Sequence, residues 1–231
     1  MDSGRGEYII MSGNARIKVD VYSLLKERIQ FLEMKPGSRV VEAELSKELG
    51  VSRTPIREAL KRLEEERFID IYPQRGTYVS LIDMKTVKEM AYMRHVLENE
   101  IFLQLCRQKV SVKRQVEDKL LMMELALRNQ DYKAYIQQDA RFHRSLFECG
   151  GHELIWDAIS GFMAHYTRVL VLDMMMPDSI RKSYLSHLKI AECIENGNLS
   201  ELKKVMEVHH DHYMTENDEK IMKEHPDYFS E

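Results

Sequence analysis

With 231 residues and a mass of 27.3 kDa, the chain is long enough to build one or two cored domains. Hydrophobic residues at 44% and charged residues at 31%, with only 10 Gly and 5 Pro, exclude collagen-like, low-complexity and wholly disordered classes. The net charge of −4 is unevenly spread: residues 1–80 hold 14 Lys/Arg against 13 Asp/Glu and the remainder 20 against 25, so the acidity does not exclude a nucleic-acid partner for the first part.

No stretch approaches the roughly 18 to 20 apolar residues that cross a bilayer, and the N-terminus lacks the apolar core of a signal peptide, so a cytoplasmic protein with no membrane partner is expected. Cys106, Cys149 and Cys193 are odd in number and outside any CxxC spacing, which indicates reduced helix residues and not a disulfide framework or zinc ribbon. The terminal segments 1–14 and 222–231 are expected to be mobile.

The first helical period runs from Ile17 to Leu32, with Val21, Leu24, Leu25 and Ile29 at steps of three and four, and ends before Pro36-Gly37. A short second helix carries Val41, Leu45 and Leu49 on one face and stops at Gly50. A third begins in Ser52-Arg53-Thr54-Pro55-Ile56-Arg57, with Thr54 as N-cap, Pro55 in the first turn, and Ile56, Leu60 and Leu63 inward. Residues 68–72 and 77–80 then read as a β-hairpin around Pro73-Gln74-Arg75-Gly76. Three short helices and a hairpin describe a winged helix-turn-helix over residues 15–80, within a mainly α chain.

From Met84 the helical period continues without strand signals, over approximately 84–108, 111–129, 131–149, 152–174, 178–196 and 199–221, so residues 84–221 form a C-terminal all-α helical bundle.

Ser52, Arg53, Thr54 and Arg57 stand at the opening of the third helix, where a recognition helix meets base edges and phosphates in the major groove. Arg75 and Gly76 suit the tip of a wing, and Arg39 is a further phosphate candidate. Each arginine alone reads most simply as a solvated surface charge; their position at the start of this helix and in the adjoining wing favours DNA contact.

In the second part, polar residues stand where the period reserves core positions. Helix 131–149 presents Tyr132, Ile136, Asp139, His143, Leu146 and Phe147 on its inner side; helix 178–196 presents His187 there, and helix 199–221 presents His209 with Leu202, Met206 and Tyr213. A single inward histidine is usually a satisfied core residue, but three with an aspartate would be costly to bury unpaired. A divalent metal, Zn²⁺, Ni²⁺ or Mn²⁺, answers that need, with positions left open for a ligand. Arg94 also faces inward, either to receive an effector carboxylate or to pair with Glu98 one turn on. His210 and His212 fall off the inward series and are expected to be exposed.

The run from Leu49 to Leu60, with Pro36-Gly37, Glu44-Leu45, Leu63 and Arg75-Gly76, resembles the DNA-binding domain of GntR-family transcription regulators. That resemblance implies dimers on short palindromic operators, with contact by Arg53, Thr54, Arg57 and Gly76. Where some relatives carry an arginine between the acidic residues of the second helix, this chain has Ala43, so no DNA contact is carried over there. Arg94 to Glu98, Asp139-Ala140-Arg141-Phe142-His143, His187 and His209 resemble the FCD effector domain, in its six-helix VanR-type form. The resemblance implies that Asp139, His143, His187 and His209 hold a metal whose open positions receive a carboxylate effector. The expected function is a homodimeric, ligand-responsive regulator, a repressor, sensing a small carboxylate. The alternative is a metal-dependent enzyme acting on small organic acids, fused to a DNA-binding domain.

Overall fold

A computed structural model describes residues 7–12, 15–211 and 217–230. Strands β1 (Glu7–Ser12) and β2 (Ala15–Asp20) form an antiparallel pair, and helix α1 (Val21–Gln30) follows. The expected helix from Ile17 therefore starts four residues late, and residues 7–12 of the segment expected to be mobile are a strand. Ile17 and Val19 alternate with Arg16 and Lys18, a period of two that competes with the helical one, and Asp20 settles the boundary. Its carboxylate accepts from the backbone N–H of Tyr22 (3.1 Å) and Ser23 (3.3 Å), the bonds of an N-cap.

After strand β3 (Arg39–Val40) come α2 (Glu42–Leu49), α3 (Arg53–Glu65), β4 (Ile69–Tyr72) and β5 (Gly76–Val79). Gly50 closes α2 in the left-handed region, φ 64°, where a side chain would be strained. The cap of α3 is Ser52 and not Thr54: extended backbone at Ser52 starts the helix two residues earlier than expected. Pro55 is tolerated there because the first four helical N–H groups have no intrahelical partner, so its missing donor costs nothing. The hairpin is as expected, but β3 adds a third strand in the order β3-β5-β4. Val21, Leu25 and Ile29 of α1 pack against α3, which buries Ile56, Ala59, Leu60 and Leu63.

The helices beyond are α4 (Met84–Gln108), α5 (Lys113–Asn129), α6 (Tyr132–Cys149), α7 (Glu153–Ser160), α8 (Ala164–Met174), α9 (Ser179–Asn196), α10 (Leu199–Asp211) and α11 (Asp218–Glu224). Two expected helices are thus corrected. The one over 152–174 is broken at Gly161-Phe162-Met163, leaving Phe162 63% exposed, and the one over 199–221 is two separate helices. The second part has eight helices among the described residues, not six. Helix α4 packs against α6, α8, α9 and α10, so its inner side is surrounded. Glu195 of α9 caps α5 from a distance, accepting from Ser111 Oγ (2.8 Å) and from the backbone N–H of Val112 (2.9 Å).

The chain divides into two units, Met1–Asp83 with Pro226–Glu231, and Met84–His225. The second crossing was not expected. Residues 226–228 form a 3-10 turn, after which the chain runs beside Ile82: the Ile82 N–H donates to the Tyr228 carbonyl (2.8 Å) and the Ser230 N–H to the Ile82 carbonyl (3.0 Å). Ile82 is fully buried and Phe229 nearly so, so most of the segment 222–231 is held in place and not mobile. Replacing Phe229→Ala removes an aromatic anchor and should lower the stability of the winged unit by about 3 kcal/mol, the low end for a buried phenylalanine. A reduced urea midpoint for that unit is the expected reading; an unchanged one would show that the segment adds nothing.

Candidate functional site

Helix α3 separates two chemistries along its first turns. Pro55, Ile56, Ala59 and Leu60 are buried, while Ser52, Arg53, Thr54 and Arg57 are all exposed. The Arg57 Nε donates to Glu42 Oε2 at 2.8 Å, a solvent-exposed pair of the kind that contributes little to stability and is readily exchanged for another anion. Ser52 makes no side-chain cap bond, so the helix opening keeps its backbone donors for an outside acceptor.

At the hairpin tip Gly76 has φ +120°, and a Cβ there would lie 3.3 Å from Arg39 Nε and 3.6 Å from its Nη2. The absent side chain makes room for the Arg39 guanidinium, which strand β3 delivers by pairing Arg39 with Tyr78 of β5. Arg39 and Arg75 are both exposed, and the Arg75 carbonyl accepts from the Tyr78 hydroxyl (3.2 Å). Arg39, Arg75 and Gly76 thus share the wing.

In the second unit the inward residues come together. His143 and His187 are fully buried, His209 and Asp139 nearly so. One ring nitrogen from each histidine lies within 4.8 Å of the others. His143 Nε2 and His187 Nε2 are 3.0 Å apart, and Asp139 Oδ1 lies 3.2 Å from His187 Nε2 and 3.9 Å from His143 Nε2. A tetrahedral ion with bonds of about 2.0–2.1 Å needs donor atoms roughly 3.3 Å apart, so the three imidazoles fit a first-row divalent metal after small side-chain adjustments, with Asp139 beside two of them. Phe142 (4.8 Å from His187, centroid to centroid), Phe102 and Trp156 shield the imidazoles from water. Tyr213 and His212, and the side chain of His210, lie outside the described residues.

The other face of each ring is held as well. His143 Nδ1 is 2.9 Å from Glu98 Oε1, close but too poorly aligned for a straight hydrogen bond. His187 Nδ1 is 3.4 Å from the Tyr135 hydroxyl, and His209 Nδ1 is 2.7 Å from Ser186 Oγ. Burial pushes the His143 pKa down, with the Arg94 charge adding to it. Burial alone would raise the Asp139 pKa, but the hydrogen bond with His187 and the charges of His143 and Arg94 hold that carboxyl well below the ordinary carboxylate range.

Arg94 is 4% exposed, and both readings of it meet in its geometry. Its Nε donates to Glu98 Oε1 at 2.6 Å, the internal pair. The rest of the fork faces the cluster: Nη1 donates to the Tyr166 hydroxyl (3.2 Å) and Nη2 lies 3.7 Å from Asp139 Oδ2. Burial, against the Arg94 charge and with the help of the Asp139 and Glu98 charges, pushes the Tyr166 phenol up to about 12. Sequence reasoning missed Tyr135, Ser183 and Ser186. Tyr135 stands four residues before Asp139 and Ser183 four before His187, so the helical period could have flagged those two; Ser186, next in sequence to His187, reaches His209 of another helix and carried no such signal.

An exposed polar helix start beside a wing, joined to a helical unit with a buried imidazole cluster, defines a DNA-binding regulator with a sensor domain. The chain matches "Bacterial regulatory proteins, gntR family" over residues 17–79 and "FCD domain" over residues 89–212, and it belongs to the GntR family of transcription regulators, with an FCD domain. It is 27% identical over 220 residues to the HTH-type transcriptional repressor RspR of Escherichia coli, covering 93% of this chain and 94% of that one. Against the gluconate operon transcriptional repressor of Bacillus subtilis it is 28% identical over 148 residues, 62% of this chain and 60% of the relative. Its fold is shared with a GntR regulator from Rhodococcus (TM-score 0.69, 19% identity, 88% and 96% covered) and with McbR/YncC of Escherichia coli (0.70, 18%, 89% and 96%). The family and these relatives regulate transcription and are not enzymes, which removes the fused-enzyme alternative.

Arg94→Met leaves Glu98 and Asp139 buried without their cation and should lower the stability of the helical unit by about 3–5 kcal/mol. Chemical denaturation measures this; a cost below about 1 kcal/mol would mean that the guanidinium is not the compensating charge.

Proposed function

We propose that this regulator binds a palindromic double-stranded operator as a homodimer in the cytoplasm, acts as a repressor, and releases or retains DNA according to a small carboxylate effector sensed at a divalent metal. The observation that carries the reading is the meeting of His143, His187, His209 and Asp139 within reach of the Arg94 fork. The repressor sense rests on relatives named as repressors, and the dimer on the two-fold symmetry of palindromic sites.

On DNA, Arg53 and Arg57 are the side chains suited to base edges, since a guanidinium donates two bonds to guanine O6 and N7. Ser52, Thr54 and the helix-opening N–H groups suit phosphate oxygens, and Arg39 and Arg75 carry the wing to the backbone over Gly76.

In the helical unit Asp139, His143, His187 and His209 would hold Zn²⁺, Ni²⁺ or Mn²⁺. A metal bound there supplies open coordination positions for a carboxylate. Arg94 would pair with an effector carboxylate from α4, loosening its hold on Asp139 of α6. Ligand binding then changes how α4 sits among its neighbours, and only different affinities for the two arrangements can move the equilibrium. Helix α4 follows directly on the Ile82 connection, so its movement is passed along the chain to the DNA-binding unit.

Arg53→Ala should reduce specific operator binding at least tenfold with unchanged circular dichroism, measured by fluorescence anisotropy on the operator; equal affinity would exclude α3 as the reading helix. His143→Ala should strip bound metal, and metal content by plasma mass spectrometry equal to that of the unmodified chain would overturn the ligand set.

A further inference from the structure

Helices α5 and α9 lie side by side and antiparallel in the helical unit. Glu195, near the end of α9, caps the start of α5 through Ser111 and Val112, while Tyr184, near the start of α9, meets Glu124 and Arg128 near the end of α5. On α5 the positions Glu117, Leu121, Leu125 and Arg128 recur at steps of four, four and three, and on α9 Arg181, Leu185, Leu188 and Glu192 at steps of four, three and four, so each set forms one stripe. All eight side chains are exposed. Leu121 is 56% and Leu185 51% exposed, and between the helices runs a groove of about 300 Å³ lined by Val116, Leu120, Leu188 and Ala191 among others.

Because the helices are antiparallel, the two stripes present the same order across the face. Glu117 and Glu192 stand at one end, the four leucines occupy the middle, and Arg128 and Arg181 stand at the other end. A contiguous exposed apolar strip rimmed by charge marks an interaction site. The charges decide what it meets. A wholly acidic or wholly basic partner would satisfy one end and oppose the other. A second copy of the same face, turned end for end about a two-fold axis that crosses both helices, brings Glu117 opposite the partner's Arg128 and Glu192 opposite the partner's Arg181. The same operation repeats both pairings with the roles exchanged and lays leucine on leucine between them, as a self-complementary interface requires.

Neighbouring charges on this face do not cancel the polarity. Three glutamates (Glu117, Glu192, Glu195) stand against Lys113 and Lys189 at one end, and two arginines against Glu124 at the other. Lys189 is 2.9 Å from Glu192 and Arg128 is 2.5 Å from Glu124, exposed pairs that contribute little and are readily exchanged for a facing charge.

We propose that the α5–α9 face is where two copies of this chain join through their helical units, α5 antiparallel to α5 and α9 antiparallel to α9, with the leucines buried between glutamate–arginine contacts. The proposal rests on the homodimer reading and deepens it by naming the surface. An apolar centre with a polar rim is the usual anatomy of an interface, and both stripes follow it. A parallel alignment would set like charges against each other, so the alignment follows from charge and the affinity from the leucines. His187 lies between Leu185 and Leu188 on the buried side of α9, so this helix faces the imidazole cluster with one side and the second copy with the other.

Self-association of the full-length chain is measured by sedimentation velocity over a concentration series, with circular dichroism as the check on folding. The unmodified chain is expected to sediment as a dimer, and the double variant Leu121→Asp, Leu185→Asp to raise the dissociation constant at least about 30-fold. Charge reversal adds a second arm that alters only exposed side chains. Glu117→Arg with Glu192→Arg makes both ends basic, Arg128→Glu with Arg181→Glu makes both acidic, and each variant alone is expected to self-associate at least about tenfold more weakly. Mixed together, the two variants regain every glutamate–arginine contact and form a heterodimer within about threefold of the unmodified affinity. Leucine variants that dimerise like the unmodified chain would overturn the proposal and leave the face to a partner other than this chain. Charge variants that do not recover on mixing would overturn the antiparallel alignment. A monomeric unmodified chain would overturn the homodimer reading itself, and the proposal with it.

Discussion

A guanidinium, two carboxylates and three imidazoles share one water-poor space in the helical unit, and each is tolerable only because the others are there. An isolated buried charge is too costly to persist, so Arg94, Glu98 and Asp139 must meet, and the imidazoles must spend their polar atoms on one another or on oxygens. These groups come from α4, α6, α9 and α10, with Tyr166 from α8. The requirement that their polar atoms be satisfied therefore constrains the mutual placement of five helices far more narrowly than apolar packing would. A sensor benefits from such a constraint, because changing one partner at the centre alters the preferred positions of elements on every side.

The DNA-binding unit solves a different problem with less material. Its core is built from α1 and α3 with the strands beneath, and the burial pattern of α3 leaves one end of the helix polar and accessible while the rest is anchored. The wing combines a strand pair with a residue lacking a side chain: Gly76 creates the space into which Arg39 folds, so two arginines from distant positions in the chain occupy one hairpin tip. The segment after Pro226 returns to this unit and runs along Ile82, just ahead of α4. The helical unit is thus bounded at both ends of its sequence by chain belonging to the DNA-binding unit.

Similarity to other regulators divides along the same line. The winged segment carries its signature in contiguous residues, from Leu49 to Leu60, because a helix-turn-helix is local and its turn, cap and buried face lie within a dozen positions. The effector domain is recognised by scattered residues. Tyr135, Ser183 and Ser186 are unremarkable in composition and acquire meaning only from the rings they touch.

Local periodicity was enough to read most of the helices, the hairpin, the exposed opening of α3, and the inward direction of Asp139, His143, His187 and His209, because each depends on neighbours within one or two turns. Where two periods overlapped, as at Ile17 to Asp20, or where an uninterrupted apolar run hid the break at Gly161 to Met163, sequence alone chose wrongly: the deciding contacts were a capping carboxylate and the packing of the turn. The return of the terminal segment to Ile82, the seat of Arg39 over Gly76, and the Nδ1 partner of each imidazole belong to tertiary structure alone. Each joins residues tens or more positions apart, and hydrogen-bond direction depends on distances of a few tenths of an ångström that no spacing along the chain encodes.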